Sequence, residues 1–137
     1  MKYELQRSRH ARHLLHTHLV FTPKYRKKIF TKEHLDFMNI IFKNVCNAFE
    51  AELVEFDGEK DHVHLLVVYP PKVAISTLVN SLKGVSSRRL RQNFEIFQKV
   101  YWGDKVALWS RSYFAASVGG APIEILRQYI EQQSTPD

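Results

Sequence analysis

Two histidines one residue apart open the reading: His62-Val63-His64. In a strand, alternation puts both imidazoles on one face, roughly 6–7 Å apart along the backbone. Neutral imidazole is the commonest metal-ligating side chain, and two on one face can converge on one ion. The plainer alternative is a pair of strand-start histidines hydrogen-bonded to Asp61. His16 and His18 form a second such pair. They read as structural, or as supports for the metal site, rather than as part of a four-histidine zinc site, which would carry cysteines or a familiar ligand spacing. Near the end of the chain, Ile125, Tyr129 and Gln133 follow at four-residue intervals. In a helix that spacing puts the phenol and the amide on one face. On the residues alone, a half-buried packing tyrosine is the favoured reading of Tyr129 and a solvated helix end that of Gln133.

Basic residues come in two blocks: Lys24, Arg26, Lys27 and Lys28 around Tyr25, and Arg88, Arg89 and Arg91 with Lys83 nearby. They read as a phosphate-tracking, DNA-binding surface, with Tyr25 offering a ring to stack on an unpaired base. A solvated charged face is the alternative. The net charge of +6 and sequence pI of about 9.5 favour a polyanionic partner. No phosphate-binding Gly-x-x-x-x-Gly-Lys-Ser/Thr loop and no Gly-x-Ser-x-Gly elbow occurs, which argues against those two chemistries.

The elements that must position these residues follow from periodicity. Residues 14–21 alternate as a strand that Pro23 ends. Thr31 reads as an N-cap, and Leu35, Met38, Ile41, Phe42, Val45 and Phe49 continue at helical spacing. Residues 53–56 and 62–69 form a hairpin, with Asp57-Gly58 as the turn signal and a loop over 57–61. Helical spacing returns over 73–97, where Gly84 marks a possible division. Residues 108–117 read as the fourth strand. Gly119-Gly120 breaks the chain, and Pro122 opens a last helix to about Gln133.

The order β-α-β-β-α-β-α predicts an α+β fold of the ferredoxin-like, RRM-like split βαβ type. It is a four-stranded antiparallel sheet with helices on one face, plus a C-terminal helix. The 137 residues suffice for one domain, with a core over about 14–118, a glycine pair at 119–120 that reads equally as a hinge or as a tight αL turn, and the last helix over about 122–133. With 45% hydrophobic and 25% charged residues, the composition is that of a globular protein rather than a disordered one. One cysteine, Cys46, allows no internal disulfide, and no apolar run reads as a signal peptide or membrane span. A cytoplasmic protein without a membrane partner is the expectation.

Together these segments resemble one family: the small single-tyrosine HUH transposases of the insertion sequence 200/605 family. The resemblance runs from about His16 to Gln133. It rests on Val20-Phe21-Thr22-Pro23-Lys24-Tyr25-Arg26, on Asp61-His62-Val63-His64-Leu65-Leu66, and on Leu82-Lys83-Gly84-Val85-Ser86-Ser87-Arg88-Arg89-Leu90. It continues through Leu108-Trp109-Ser110-Arg111-Ser112-Tyr113-Phe114, Gly119-Gly120 and Gln128-Tyr129-Ile130-Glu131-Gln132-Gln133. A lone His-x-His is weak, but these segments in this order are specific.

The resemblance implies Tyr129 as nucleophile and His62, His64 and Gln133 as ligands of Mg²⁺ or Mn²⁺. It implies a homodimer acting on single-stranded DNA with hairpins at element ends, with the tyrosine helix donated in trans. Gly119 and Gly120 would then be the hinge on which that helix moves. A related domesticated branch acts on repeated palindromes. A non-catalytic single-strand-binding module of the same fold is the remaining alternative.

Overall fold

The computed structural model describes residues 14–102, 107–117, 128 and 130–132. Gly119, Gly120, Tyr129, Gln133 and the start of the last helix lie outside the described residues.

The alternating run becomes β1, Leu15–Phe21, and Pro23 ends it as expected. Thr31 then caps α1, Lys32–Ala48. The cap is reciprocal: Thr31 Oγ1 accepts from the His34 N–H, and His34 Nδ1 accepts from the Thr31 N–H. One face of α1 buries His34, Met38, Ile41, Phe42, Val45 and Cys46. Strands β2, Glu52–Glu59, and β3, His62–Tyr69, follow as a hairpin. Helix α2 is Ile75–Asn93, α3 is Glu95–Val100 and β4 is Phe114–Ser117.

The sheet order is β2-β3-β1-β4, with every neighbour antiparallel. This is the split βαβ arrangement, and it places β1 and β3 side by side at the centre. Leu19, Phe21, Val63, Leu65 and Val67 point into the main core with Met38, Phe42, Leu78 and Leu82 from the helices. The opposite face carries His16, His18, His62 and His64. Among the described residues, no helix is long and apolar enough to cross a membrane.

Three expectations change. Asp57-Gly58 is not a turn: both strands run on, and only Lys60 and Asp61 join them. The glycine serves close packing instead, since a Cβ at Gly58 would stand 2.7 Å from Leu35 Cδ2. Gly84 does not divide α2, which runs unbroken through it, and a Cβ there would meet nothing within 4 Å outside the helix's own backbone. The break comes at Phe94, whose extended backbone (φ −135°, ψ 113°) separates α2 from α3.

The fourth strand is also shorter than the 108–117 expected. Trp109 makes an isolated bridge to Pro23, and regular pairing begins only at Phe114 opposite Val20. The stretch 109–114 is longer than the facing 20–23: the Ser110 N–H still donates to Thr22 O at 2.8 Å, and regular pairing lapses over residues 111–113. Lys83 of α2 collects carbonyls here, with Nζ 2.6 Å from Ser110 O, 3.3 Å from Arg111 O and 3.5 Å from Ser112 O. Just beneath, the Trp109 indole donates to Ser86 Oγ at 2.9 Å in the core.

Candidate functional site

Strand alternation buries Val63 in the core and turns His62 and His64 to the other face. The β1–β3 register sets Val20 opposite His64 and His18 opposite Leu66, which makes His18 and His64 diagonal neighbours. Their rings stack with centroids 5.0 Å apart, and His18 Nδ1 lies 2.8 Å from His64 Nε2. One imidazole donates and the other accepts, so the pair shares one proton. Burial holds the pKa of His64 below the ordinary histidine value, and charge on His18 lowers it further. Asp57 and Glu55 on β2 oppose this without reversing it. His64 is therefore neutral near pH 7, the form a metal ligand requires.

His62 has a different partner. Its Nδ1 lies 2.9 Å from Asp61 Oδ1. An ionised carboxylate only accepts, so the imidazole donates from Nδ1 and leaves the Nε2 lone pair for another partner. Nε2 also lies 3.7 Å from the Glu59 carboxylate. Burial alone would raise the pKa of Asp61. Hydrogen bonds from His62 and Arg26, together with their charges, outweigh it and hold the carboxyl below its usual range. Arg26 Nε donates to Asp61 Oδ2 at 2.8 Å.

A cavity of about 580 Å³ opens beside this group, lined by Arg26, Lys28, Asp61, His62, Ile130 and Glu131 among others. Residues 128 and 130–132 are helical. Of these, Ile130 and Glu131 line the same cavity as His62. Tyr129 and Gln133 themselves lie outside the described residues.

The candidate DNA-binding residues divide into groups. Tyr25, Lys27 and Lys28 are exposed, and Lys24 is half-buried, its carbonyl accepting from the Tyr101 hydroxyl at 2.7 Å. Arg26 is turned inward to Asp61. Arg88 and Arg89 are exposed and Arg91 is half-buried on α2. Arg89 lines a groove with Ile40 of α1 and Val85 of α2, in the helix layer rather than on the histidine face. Arg89 is thus set apart from the histidine face, whereas Lys83 lies 5.9 Å from the Phe21 ring, at the end of β1 that leads into the first block. Lys83 is occupied by the turn before β4.

Two imidazoles on one face, one neutral by burial and one with its tautomer set by Asp61, fit a cation that takes nitrogen ligands. Among the described residues, no group of three His, Cys, Asp or Glu side chains converges to hold one alone. Ligation through His64 Nε2 would replace its bond to His18. The sequence reads His18 as structural or as a support for the site, and the structure gives it a direct bond to His64. Sequence reasoning did not find Arg26 as the partner of Asp61. The available signal was the strand pairing, since setting Phe21 opposite Val63 brings the segment after β1 alongside the Lys60-Asp61 turn.

Comparison with known proteins gives consistent findings. Residues 11–133 match the family described as IS200-like transposases. The chain is 31% identical over 128 residues to the transposase for insertion sequence element IS200 of Salmonella typhimurium, covering 93% of this chain and 82% of that protein. It is 30% identical over 130 residues to the ISDra2 transposase TnpA of Deinococcus radiodurans, covering 95% and 91%. A solved candidate transposase from Deinococcus radiodurans superposes with a TM-score of 0.84 at 31% identity, over 94% of this chain and 98% of that one. A REP-associated tyrosine transposase bound to a REP hairpin shares the fold, with a TM-score of 0.53 at 10% identity over 90% and 68%.

Proposed function

This chain belongs to the IS200-like transposase family, and from that premise we propose that it cleaves and rejoins single-stranded DNA at hairpin-bearing element ends through Tyr129. The observation that carries the reading is the placement of His62. Its Nε2 is left open by Asp61, beside a cavity shared with residues 130 and 131.

Tyr129 attacks the scissile phosphorus through its phenolate oxygen. The bond from phosphorus to the 3′ oxygen breaks, and that oxygen leaves as a 3′-OH after taking a proton. The 5′ end stays on the enzyme as a phosphotyrosine. A DNA 3′-OH later attacks the same phosphorus and releases the tyrosine. One phosphodiester is exchanged for another, so no nucleoside triphosphate is consumed.

His62, His64 and Gln133 would hold Mg²⁺ or Mn²⁺. Bound there, the cation would supply Lewis-acid polarisation of the phosphate and charge neutralisation in the transition state. Neutral His64 supplies a donor without a proton having to leave first, and Asp61 orients the His62 ring beside it. Lys24, Lys27 and Lys28 track the backbone beside the cavity, and Tyr25 stacks on an unpaired base. Arg88, Arg89 and Arg91, in the helix layer, contact a more distant part of the hairpin. Two copies form the working unit, and Gly119-Gly120 lets the tyrosine helix serve the partner's site.

The test is metal-dependent cleavage of a single-stranded hairpin substrate. His62→Ala and His64→Ala should each abolish cleavage in Mn²⁺ while hairpin affinity stays within about twofold. Cleavage that persists in both variants, or that needs no cation, would overturn the reading.

A further inference from the structure

Arg26 was expected on a DNA-facing surface, yet its side chain runs inward. Its Nε donates to Asp61 Oδ2 at 2.8 Å, and Nη1 reaches the Glu131 carbonyl at 3.5 Å. The other oxygen of the same carboxylate accepts from His62 Nδ1 at 2.9 Å. Asp61 is 7% exposed, so each oxygen depends on a protein partner. The backbone is bent to make this possible. Tyr25 and Arg26 are consecutive non-glycine residues in the left-handed region, at φ 63° and φ 50°. Such a conformation persists only where surrounding contacts hold it.

From this chain of bonds we propose that Arg26 is a positioning residue: it fixes the Asp61 carboxylate, which holds His62 in the tautomer whose Nε2 lone pair faces the cavity. The inference rests on the reading of His62 as a cation ligand and extends it by one residue from the segment that follows the neighbouring strand β1. A neutral imidazole carries one proton on either nitrogen. With the carboxylate held, the proton stays on Nδ1. Without Arg26, Asp61 loses its second partner and is free to turn away, and the proton then divides between the two nitrogens. Lysine at position 26 restores the charge but not the planar donor geometry of the guanidinium.

Two readouts test this, one free of metal. Long-range proton–nitrogen NMR on the metal-free, full-length protein at pH 8 should show His62 in a single Nδ1–H tautomer. Arg26→Met should give a mixture, and Arg26→Lys an intermediate pattern. Mn²⁺ affinity, measured by the loss of the free-ion electron paramagnetic resonance signal, should fall about 10- to 100-fold in Arg26→Met, as for other outer-shell partners. In an Asp61→Asn background, Arg26→Met should add less than twofold, because its effect passes through Asp61. If Arg26→Met does not fold, Arg26→Lys carries the same comparison. An unchanged His62 tautomer, or losses that multiply in the double variant, would overturn the proposal. If the wild-type protein binds no Mn²⁺ but the tautomer still depends on Arg26, the cation reading fails and the positioning role stands.

Discussion

Lys83 separates a structural role from a DNA-binding one. Its ammonium sits 2.6 Å from the carbonyl of buried Ser110 and within 3.5 Å of the next two carbonyls. It also lies 5.6 Å from the Tyr113 ring centroid and 5.9 Å from that of Phe21. Lys83→Met keeps most of the stem and removes only the charge and donors. A hydrogen bond to a charged group contributes about 1.5–3 kcal/mol. The two longer contacts are exposed and add little. The loss should therefore be about 2 kcal/mol, or roughly a 1 M drop in urea midpoint for a chain of this size. Equilibrium urea unfolding measures the first quantity. The salt dependence of single-strand binding measures the second, since each lost phosphate contact flattens the log–log slope by about 0.7. Lys83→Met should leave that slope unchanged, whereas Lys27→Met or Lys28→Met should flatten it. Unchanged stability together with a flattened slope would refute the structural assignment of Lys83.

Other consequences follow from the fold. Burial holds the pKa of His34 below the ordinary value, Glu33 only partly opposing it, and the neutral Nδ1 caps α1. The unfolded chain therefore binds this proton more readily. The contribution of His34 is complete above the unfolded pKa of about 6.5 and is lost as pH falls through the lower folded value. Urea midpoints at pH 5 and pH 8 should differ less in His34→Gln than in the wild type, and an equal difference would contradict the cap. Gly58→Ala should destabilise by about 1 kcal/mol, because its Cβ would meet Leu35 Cδ2 at 2.7 Å. Thermal unfolding should show that cost shrinking in a Leu35→Val background. Burial pushes the Cys46 thiol up to about 12, so a thiol-reactive dye should label it only as the protein unfolds.

Much of this architecture is legible in the sequence because its signals are local and strong. The alternation of 15–21, the apolar run of 62–69 and the Thr31 cap specify their elements with little tertiary help. His62 and His64 share a face for the same reason. What the sequence hides is set by contacts between distant segments. Gly58 reads as a turn residue until Leu35 packs over it. Residues 111–113 read as strand, yet regular pairing lapses there, where Lys83 takes the carbonyls of residues 110–112. Arg26 reads as one more surface cation, and its task depends on a carboxylate 35 residues downstream. The family resemblance names Tyr129, while spacing alone places it no better than any amphipathic tyrosine.

The most direct test of the central claim is to trap and map the covalent intermediate. The protein would be mixed with end-labelled single-stranded hairpin DNA and Mn²⁺, resolved under denaturing conditions, and the adduct digested for mass spectrometry. The account predicts an adduct whose nucleotide mass sits on the peptide containing Tyr129 and that is absent in Tyr129→Phe. An adduct mapping to Tyr113, or intact hairpin binding with no adduct at all, would contradict it.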